Sequence, residues 1–213
     1  MLKNIPVGAR STAMGQAFSA VPNDVQGIPY NPATLATLTA SQVSLQHLSY
    51  VEETSQQAIL YGDAGRDSGM SWGFSTNYLR VANITRTVAT GATTGDGYTE
   101  TGDFSTYDLS IGLSAAAPVS EVIKAGGTVK FIRESLGDAS ANAGAVDLPM
   151  TFRAGMSGQP FSQWLLSADY VKRTDTEGEI DLGVEANPKK FFSLRLGYRY
   201  AFARPDFGGF SDI

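Results

Sequence analysis

A two-residue alternation of apolar and polar side chains recurs along most of the chain, and it limits the folds that are open to it. In residues 69–79, for example, Trp72 and Phe74 alternate with Ser71 and Gly73. Successive side chains of a β-strand point to opposite faces, so this pattern predicts strands with one apolar and one polar face. The predicted strands cover residues 41–50, 54–63, 69–79, 81–90, 107–115, 121–134, 150–157, 164–170, 180–187 and 192–200, with polar loops over residues 91–102 and 137–146.

Two architectures fit this pattern of strands. Several predicted strands approach the roughly 9–11 residues that a tilted membrane-spanning strand needs. A soluble β-sandwich alternates equally well and stays open as the alternative. The long strands, joined alternately by short turns and longer polar loops, favour an all-β fold, a transmembrane antiparallel up-and-down β-barrel. Aromatic residues near strand ends, typical of the girdles of such barrels, are Trp164, Tyr170, Phe192, Tyr198 and Tyr200.

The first 40 residues, which we call the N-terminal segment, differ from the rest because they are helix-prone, rich in small residues and broken by glycine and proline. Asn31 is a good helix N-cap, since its side-chain oxygen can accept a free backbone N–H group. Pro32 suits the first helical position, where its missing donor has no cost. The sequence therefore predicts a short helix that begins after Asn31 and continues to Leu38. Capping alone accounts for both Asn31 and Pro32.

Ordered motifs mark the same segment: GAR at residues 8–10, AMGQA at 13–17, ND at 23–24 and YNPATLA at 30–36. Together they resemble the opening of the PorV/PorQ family, outer-membrane barrels related to FadL-type transporters. The resemblance is dense over residues 8–38 and lies in the general pattern over the rest. It implies that residues 1–40 form a helical hatch and residues 41–213 the strands of a FadL-like β-barrel. The hatch residues that it implies are Gly8, Arg10, Met14, Gly15, Asp24, Asn31, Pro32 and Ala33.

The resemblance also implies a protein longer than this sequence. No secretory signal is visible at residues 1–5, so a signal peptide is expected ahead of Met1. A further strand pair before Asp147 and closing strands after Ile213 are expected too. The location that follows is the outer membrane of a Gram-negative-type bacterium.

Charged side chains of both signs fall on the polar faces of the predicted strands. In a barrel these faces would line the lumen, where opposite charges can pair with one another and with a plug. The hypothesis is that they hold the N-terminal segment in the lumen, with Arg10 and Asp24 as its partners. The set comprises Asp108, Lys124, Lys130, Arg153, Asp169, Asp181, Glu185, Arg195 and Arg199.

Composition excludes several classes of function. The chain has 213 residues and no cysteine, which rules out disulfides, thiol catalysis and cysteine metal sites. Its net charge of −5 provides no basic surface for nucleic acid. Residues 69–73 match the G-x-S-x-G pattern of hydrolases, but Ser71 lies in a predicted strand and the single histidine, His47, in another. No enzyme activity, cofactor or metal is predicted.

Two functions are expected from the resemblance. The first is an interaction or shuttle component of type IX or related protein secretion, whose partners are a large translocon barrel, cargo sorting domains and outer-membrane lipid. The second is a FadL-like transporter of hydrophobic small molecules, with a lipophilic small molecule as its ligand. A polar, glycine-rich lumen favours the first. A purely structural or soluble β-protein is the third possibility.

Overall fold

The computed structural model describes residues 6–65, 69–89, 97–121, 123–136, 139–144, 151–173, 178–189 and 192–202. In this part the chain forms ten antiparallel strands in two sheets. The first sheet contains β1 (Gln42–Ser49), β2 (Thr54–Gly62), β3 (Ser71–Ala89), β4 (Tyr98–Pro118), β5 (Lys124–Leu136) and β6 (Ala139–Gly144). The second contains β7 (Thr151–Phe161), β8 (Trp164–Arg173), β9 (Glu179–Lys189) and β10 (Phe192–Ala201).

The strand order confirms the all-β, up-and-down antiparallel part of the fold prediction. Within each sheet, neighbouring strands are consecutive in the chain, in the orders β1-β2-β3-β4-β5-β6 and β10-β9-β8-β7. The sheets are not closed into a barrel, because within the described ranges β6 does not pair with β7, nor β1 with β10. The predicted missing strand pair falls on residues 145–150, which lie outside the described residues.

Three predictions for individual segments were wrong. Residues 81–90 do not form a return strand, because β3 runs without interruption to Ala89 through two register shifts near Asn83, whose φ is 52°. The predicted loop over 91–102 is strand from Tyr98 onward, and residues 90–96 lie outside the described part. The predicted loop over 137–146 contains β6, which pairs with the end of β5.

The N-terminal segment holds three short helices. Helix α1 spans Ala9–Ala13, and 3-10 helices span Val25–Gly27 and Pro32–Thr37. The helix start predicted at Asn31 is confirmed, since the Asn31 side chain accepts a hydrogen bond from the Ala33 N–H group at 3.1 Å. None of the helices in the described ranges is long and apolar enough to cross a membrane.

The hydrophobic core surrounds the N-terminal segment. This segment contributes nine of the fifteen buried hydrophobic residues in the described part of the chain, among them Met14, Phe18 and Leu35. Each sheet turns one face towards the segment, and we call this the inward face. The opposite, outward faces carry large apolar side chains that are exposed, including Leu45, Leu113, Val129, Met156 and Leu196.

Candidate functional site

The contact between the N-terminal segment and the second sheet combines a buried apolar cluster, in which Met14, Phe18 and Val21 pack with Leu165 of β8, with a network of charged groups. Arg10, at the start of α1, donates two hydrogen bonds to the Glu185 carboxylate on β9, at 2.7 and 2.9 Å. Its remaining nitrogen donates to Asp24 at 2.7 Å, within the N-terminal segment itself. Glu185 also accepts a hydrogen bond from Arg195 on β10 at 2.7 Å. One buried carboxylate therefore joins the N-terminal segment to two neighbouring strands.

These partners stabilise the charged form of the Arg10 guanidinium. Burial by itself would lower the pKa of the guanidinium, but the hydrogen bonds from Arg10 to Glu185 and Asp24 outweigh burial and raise that pKa. The guanidinium also lies 5.5 Å from the centre of the Phe18 ring, within the range of a cation–π interaction. Arg10 is thus fixed from several sides as a cation.

A second polar anchor is Asp169 on β8. Its carboxylate accepts hydrogen bonds from the backbone N–H groups of Phe18 and Ser19, at 3.0 and 2.8 Å. Arg153 on β7 lies 3.5 Å from the same carboxylate oxygen and donates to the Gln16 carbonyl at 3.2 Å. Backbone donors of an irregular stretch need partners when they are buried, and the sheet provides one here.

The contact with the first sheet is mainly apolar, with Gln42 of β1 accepting a hydrogen bond from the Val25 N–H group at 3.0 Å and donating one to the Asn23 carbonyl at 3.1 Å. Val25, Ile28, Leu35 and Leu38 of the N-terminal segment form one buried cluster with Leu60 of β2. Ala58 and Ala116 complete the sheet side of this cluster. Such contacts depend on the area removed from water and on packing, and little on the direction of any one group.

Glycines on the inward faces make room for the N-terminal segment on both sheets. A Cβ atom added at Gly126 would lie 2.6 Å from the Ala33 nitrogen, and one at Gly183 would lie 2.8 Å from the Met14 carbonyl oxygen. At Gly197 an added Cβ would collide with the backbone of Gly15, whose own φ of 62° favours glycine. The other inward glycines that lie against this segment are Gly62, Gly73 and Gly155.

Tyr30 and Asn31 join the two halves of the N-terminal segment, namely the half around Arg10 and Phe18 that contacts the second sheet and the half around Leu35 that contacts the first. Asn31 donates from its side-chain amide to the Ser19 carbonyl at 2.8 Å. The Tyr30 hydroxyl donates to the Val7 carbonyl at 3.0 Å, and its ring centre lies 5.1 Å from the Arg153 guanidinium. Burial raises the pKa of the Tyr30 phenol. These contacts hold the two halves of the segment together.

The predicted hatch residues all lie in this contact region. Gly8 precedes α1 with a φ of 112°, Met14 is fully buried, and Asp24 caps the first 3-10 helix by accepting from the Gln26 N–H group. Pro32 and Ala33 lie against Gly126. Asp24 therefore bonds within the N-terminal segment in the described contacts, whereas Arg10 reaches the sheet.

The predicted charge set divides between the two sheets. Arg153, Asp169, Glu185 and Arg195 come together around the N-terminal segment, as described above. Arg199 pairs with Asp181 at 2.8 Å along the wall of the second sheet. Asp108, Lys124 and Lys130 lie on the inward face of the first sheet, where Asp108 faces Glu134 and Lys130 faces Gly112 across neighbouring strands.

Sequence reasoning missed the glycines and Ser157, which donates to the Ala20 carbonyl at 2.6 Å. The glycines have a signal in the sequence, because they recur at inward positions where other strands carry polar side chains. Ser71 and His47 lie on opposite faces of the first sheet, the former buried and the latter exposed. In the described ranges no group of three or more histidine, aspartate or glutamate side chains could hold a metal ion.

A family model described as "Uncharacterised protein family (UPF0164)" matches residues 2–142. The matched residues include the whole described N-terminal segment and strands β1 to β5. No curated protein and no solved structure gives a significant match to the chain.

Proposed function

The chain belongs to the Uncharacterised protein family (UPF0164), and we propose that it forms a β-barrel of a bacterial outer membrane whose N-terminal segment plugs the lumen. In this proposal the outward faces of both sheets meet lipid and the inward faces line the lumen. The closed barrel acts as an interaction or shuttle component of a protein secretion system of the type IX kind.

The observation that supports the barrel proposal is the distribution of polar and apolar side chains between the two faces of the sheets. Outward side chains such as Leu113, Val129 and Leu196 are apolar and exposed by 66, 77 and 66 % of their surface. Inward carboxylates such as Asp169 and Asp181 are almost fully buried. A soluble β-protein has the opposite arrangement, with its apolar faces inside. Apolar-out, polar-in alternation is typical of transmembrane barrels, whose outward band faces lipid.

The plug is supported by the contacts of the N-terminal segment with both inward faces. Its buried core, its ion pairs and its glycine contacts all lie on these faces. Deletion of residues 1–38 should therefore lower the stability of the barrel and raise its conductance in planar bilayers. Unchanged stability and conductance would mean that the segment is no plug.

The interaction role is supported by a ribbon that projects from the first sheet. Pairing with β2 ends at Val81 and pairing with β5 ends at Thr106, yet β3 and β4 continue as a two-stranded ribbon. Within the described residues, this ribbon comprises 82–89 and 98–105, and most of its side chains are exposed. At its base Ala82 and Asn83 hydrogen-bond to Glu53 in the turn between β1 and β2. Beyond that point the described ribbon pairs with no third strand, and such edges offer backbone groups and side chains to a partner protein.

A second candidate is a FadL-like transporter of hydrophobic small molecules. The observation that favours it is the apolar cluster around Ile28, Leu35 and Leu60, which a lipophile could enter if the Pro32–Thr37 helix moved. The transporter needs an open route through the lumen, whereas the interaction role does not. The two functions also differ in what they bind, which is a lipophile for the transporter and a partner protein for the interaction role.

One experiment separates these functions. The intact gene product is purified from its native outer membrane in mild detergent, and bound proteins and lipophiles are identified by mass spectrometry. A variant in which residues 85–103 are replaced by Asn-Gly, a two-residue hairpin turn that shortens the ribbon, serves as the comparison. Secretion proteins that copurify with the wild type and are lost from the variant support the interaction role. A stoichiometric lipophile in both, without a protein partner, supports the transporter, and recovery only in the soluble fraction overturns the barrel.

A further inference from the structure

The outward faces carry charge of one sign. Outside the projecting ribbon, the described outward side chains of the strands include three charged residues, and all are basic: Arg80, Arg133 and Lys172. The acidic side chains of the same strand regions, such as Asp108 and Glu185, face inward. A surface that meets lipid and carries only positive charge is complementary to anionic headgroups.

Arg80 and Arg133 belong to one small grid on the outward face of the first sheet, which we call the Arg80–Arg133 patch. Cross-strand pairing places Arg80, Tyr107 and Ser135 in one row across the three strands, and Tyr78, Leu109 and Arg133 in the next row. These six residues occupy two adjacent rows across β3, β4 and β5. Because neighbouring strands lie about 4.8 Å apart, the backbones of β3 and β5 are about 10 Å apart here. In the structure the Arg80 guanidinium donates to the Ser105 hydroxyl of β4 at 3.5 Å, so a phosphate held between the two arginines would replace this contact as the side chains turn towards each other.

The level of the patch on the wall is informative. On one side of it, the next rows are apolar and contain Ile111, Phe131, Leu113 and Val129. On the other side β3 and β4 enter the polar projecting ribbon. The patch therefore marks the point where the apolar band ends. The Tyr78 and Tyr107 rings lie 5.9 Å apart within it, and tyrosine is enriched at this level of membrane barrels.

Resting on the proposed barrel, we infer that the Arg80–Arg133 patch binds the phosphate of an anionic membrane lipid. The two guanidinium groups pair with the phosphate oxygens, for which their planar donor forks are suited. The tyrosine rings flank the headgroup, and the acyl chains lie on the apolar rows next to it. The basic pair is continuous with an apolar surface. A lipid uses both, whereas free phosphate would use only the basic pair, and the proposed ligand is therefore a lipid.

The test uses the full chain folded into vesicles of phosphatidylcholine, alone or mixed with phosphatidylglycerol. Integration is checked by resistance to carbonate extraction, and lipid retained after mild-detergent extraction is measured by native mass spectrometry. Arg133→Gln should lower phosphatidylglycerol retention roughly fivefold, since one basic residue near the headgroups contributes about that factor. Lys172→Gln removes one outward positive charge from the second sheet and should leave retention unchanged.

The pair Arg80→Lys and Arg133→Lys adds a second reading, because lysine keeps the charge and loses the bidentate geometry. Intermediate retention is expected for this double variant. Equal losses in Arg133→Gln and Lys172→Gln, or full retention in Arg80→Gln with Arg133→Gln, would overturn the patch while leaving the barrel standing. A wild type that carbonate removes from the vesicles would instead overturn the proposed barrel.

Discussion

The N-terminal segment meets the two sheets through different chemistry. Against the second sheet it uses Arg10, the backbone donors at Phe18 and Ser19, and the carboxylates of Glu185 and Asp169. Against the first sheet it uses aliphatic side chains around Leu35, together with hydrogen bonds to Gln42 of β1. Ion pairs demand defined geometry, whereas apolar contacts follow buried area and tolerate small shifts. The comparison indicates that one side fixes the orientation of the segment and the other supplies general adhesion.

The largest effect is expected on the apolar side. Leu35→Ala removes a fully buried side chain from the cluster and should lower the free energy of unfolding by about 3 kcal/mol. The measurement is urea unfolding of the protein folded in detergent micelles, at low and high salt. The loss should be the same at both salt concentrations. Leu113→Ala, on the outward face of the same sheet, is the matched control and should cost far less.

Glu185→Gln addresses the ionic side. The amide keeps the shape of the side chain, but it leaves Arg10 and Arg195 facing a neutral group in place of a carboxylate. The expected loss is about 2 kcal/mol, below that for a fully buried pair because glutamine can still accept hydrogen bonds. Salt should change this loss only slightly, because buried ion pairs are screened much less than exposed ones. Glu100→Gln in the projecting ribbon controls for net charge, and a loss in Glu185→Gln no greater than in this control would contradict an ionic anchor at Glu185.

Adjacent glycines on β5 provide a test of close approach. A Cβ at Gly126 would meet the backbone at Ala33 and Pro32, whereas a Cβ at Gly127 would have nothing within 4 Å. Gly126→Ala should therefore destabilise the protein by about 2 kcal/mol. Gly127→Ala should be neutral or slightly stabilising, because alanine restricts the unfolded chain. Equal effects of the two substitutions in the unfolding assay would show that the segment does not rest on this strand.

The smallest effect is expected at Tyr30, where the two halves of the segment join. Burial raises the pKa of its phenol above the ordinary value of 10.0, so above pH 10 the unfolded chain releases a proton that the folded protein keeps. The contribution of Tyr30 to stability is thus complete below pH 10 and falls as pH rises beyond it. Tyr30→Phe should lose about 1 kcal/mol at neutral pH and lack this alkaline fall. Parallel unfolding curves from pH 8 to 11 would check both.

The sequence predicted the strands whose alternation is regular and missed those where it is interrupted. Strands β8 and β9 keep strict alternation and were located closely. The register shifts near Asn83 change which face each residue occupies, so a continuous β3 resembles two strands joined by a turn. Strand β6 consists of small residues without alternation, and only its pairing with β5 identifies it.

The candidate site was predictable where its chemistry is local. Asn31 and Pro32 carry their helix signal within a few residues, and this prediction was confirmed. The partner of Arg10 lies 175 residues away, and no spacing rule selects Glu185 from the other inward carboxylates. Glycine contacts such as that of Gly197 with Gly15 depend on how two distant backbones approach, which the sequence does not encode locally.

The separation between Arg10 and Glu185 has a consequence for the order of folding. The N-terminal segment is synthesised before the strands, but its polar anchors lie on β7 to β10 and do not exist until those strands have formed. Closing so long a loop is entropically costly and contacts of this kind form slowly. Residues such as Phe18, which packs with Leu165 of β8, are therefore synthesised before the strands but reach their native environment only after them, and until then they remain exposed to any chaperone that accompanies the chain.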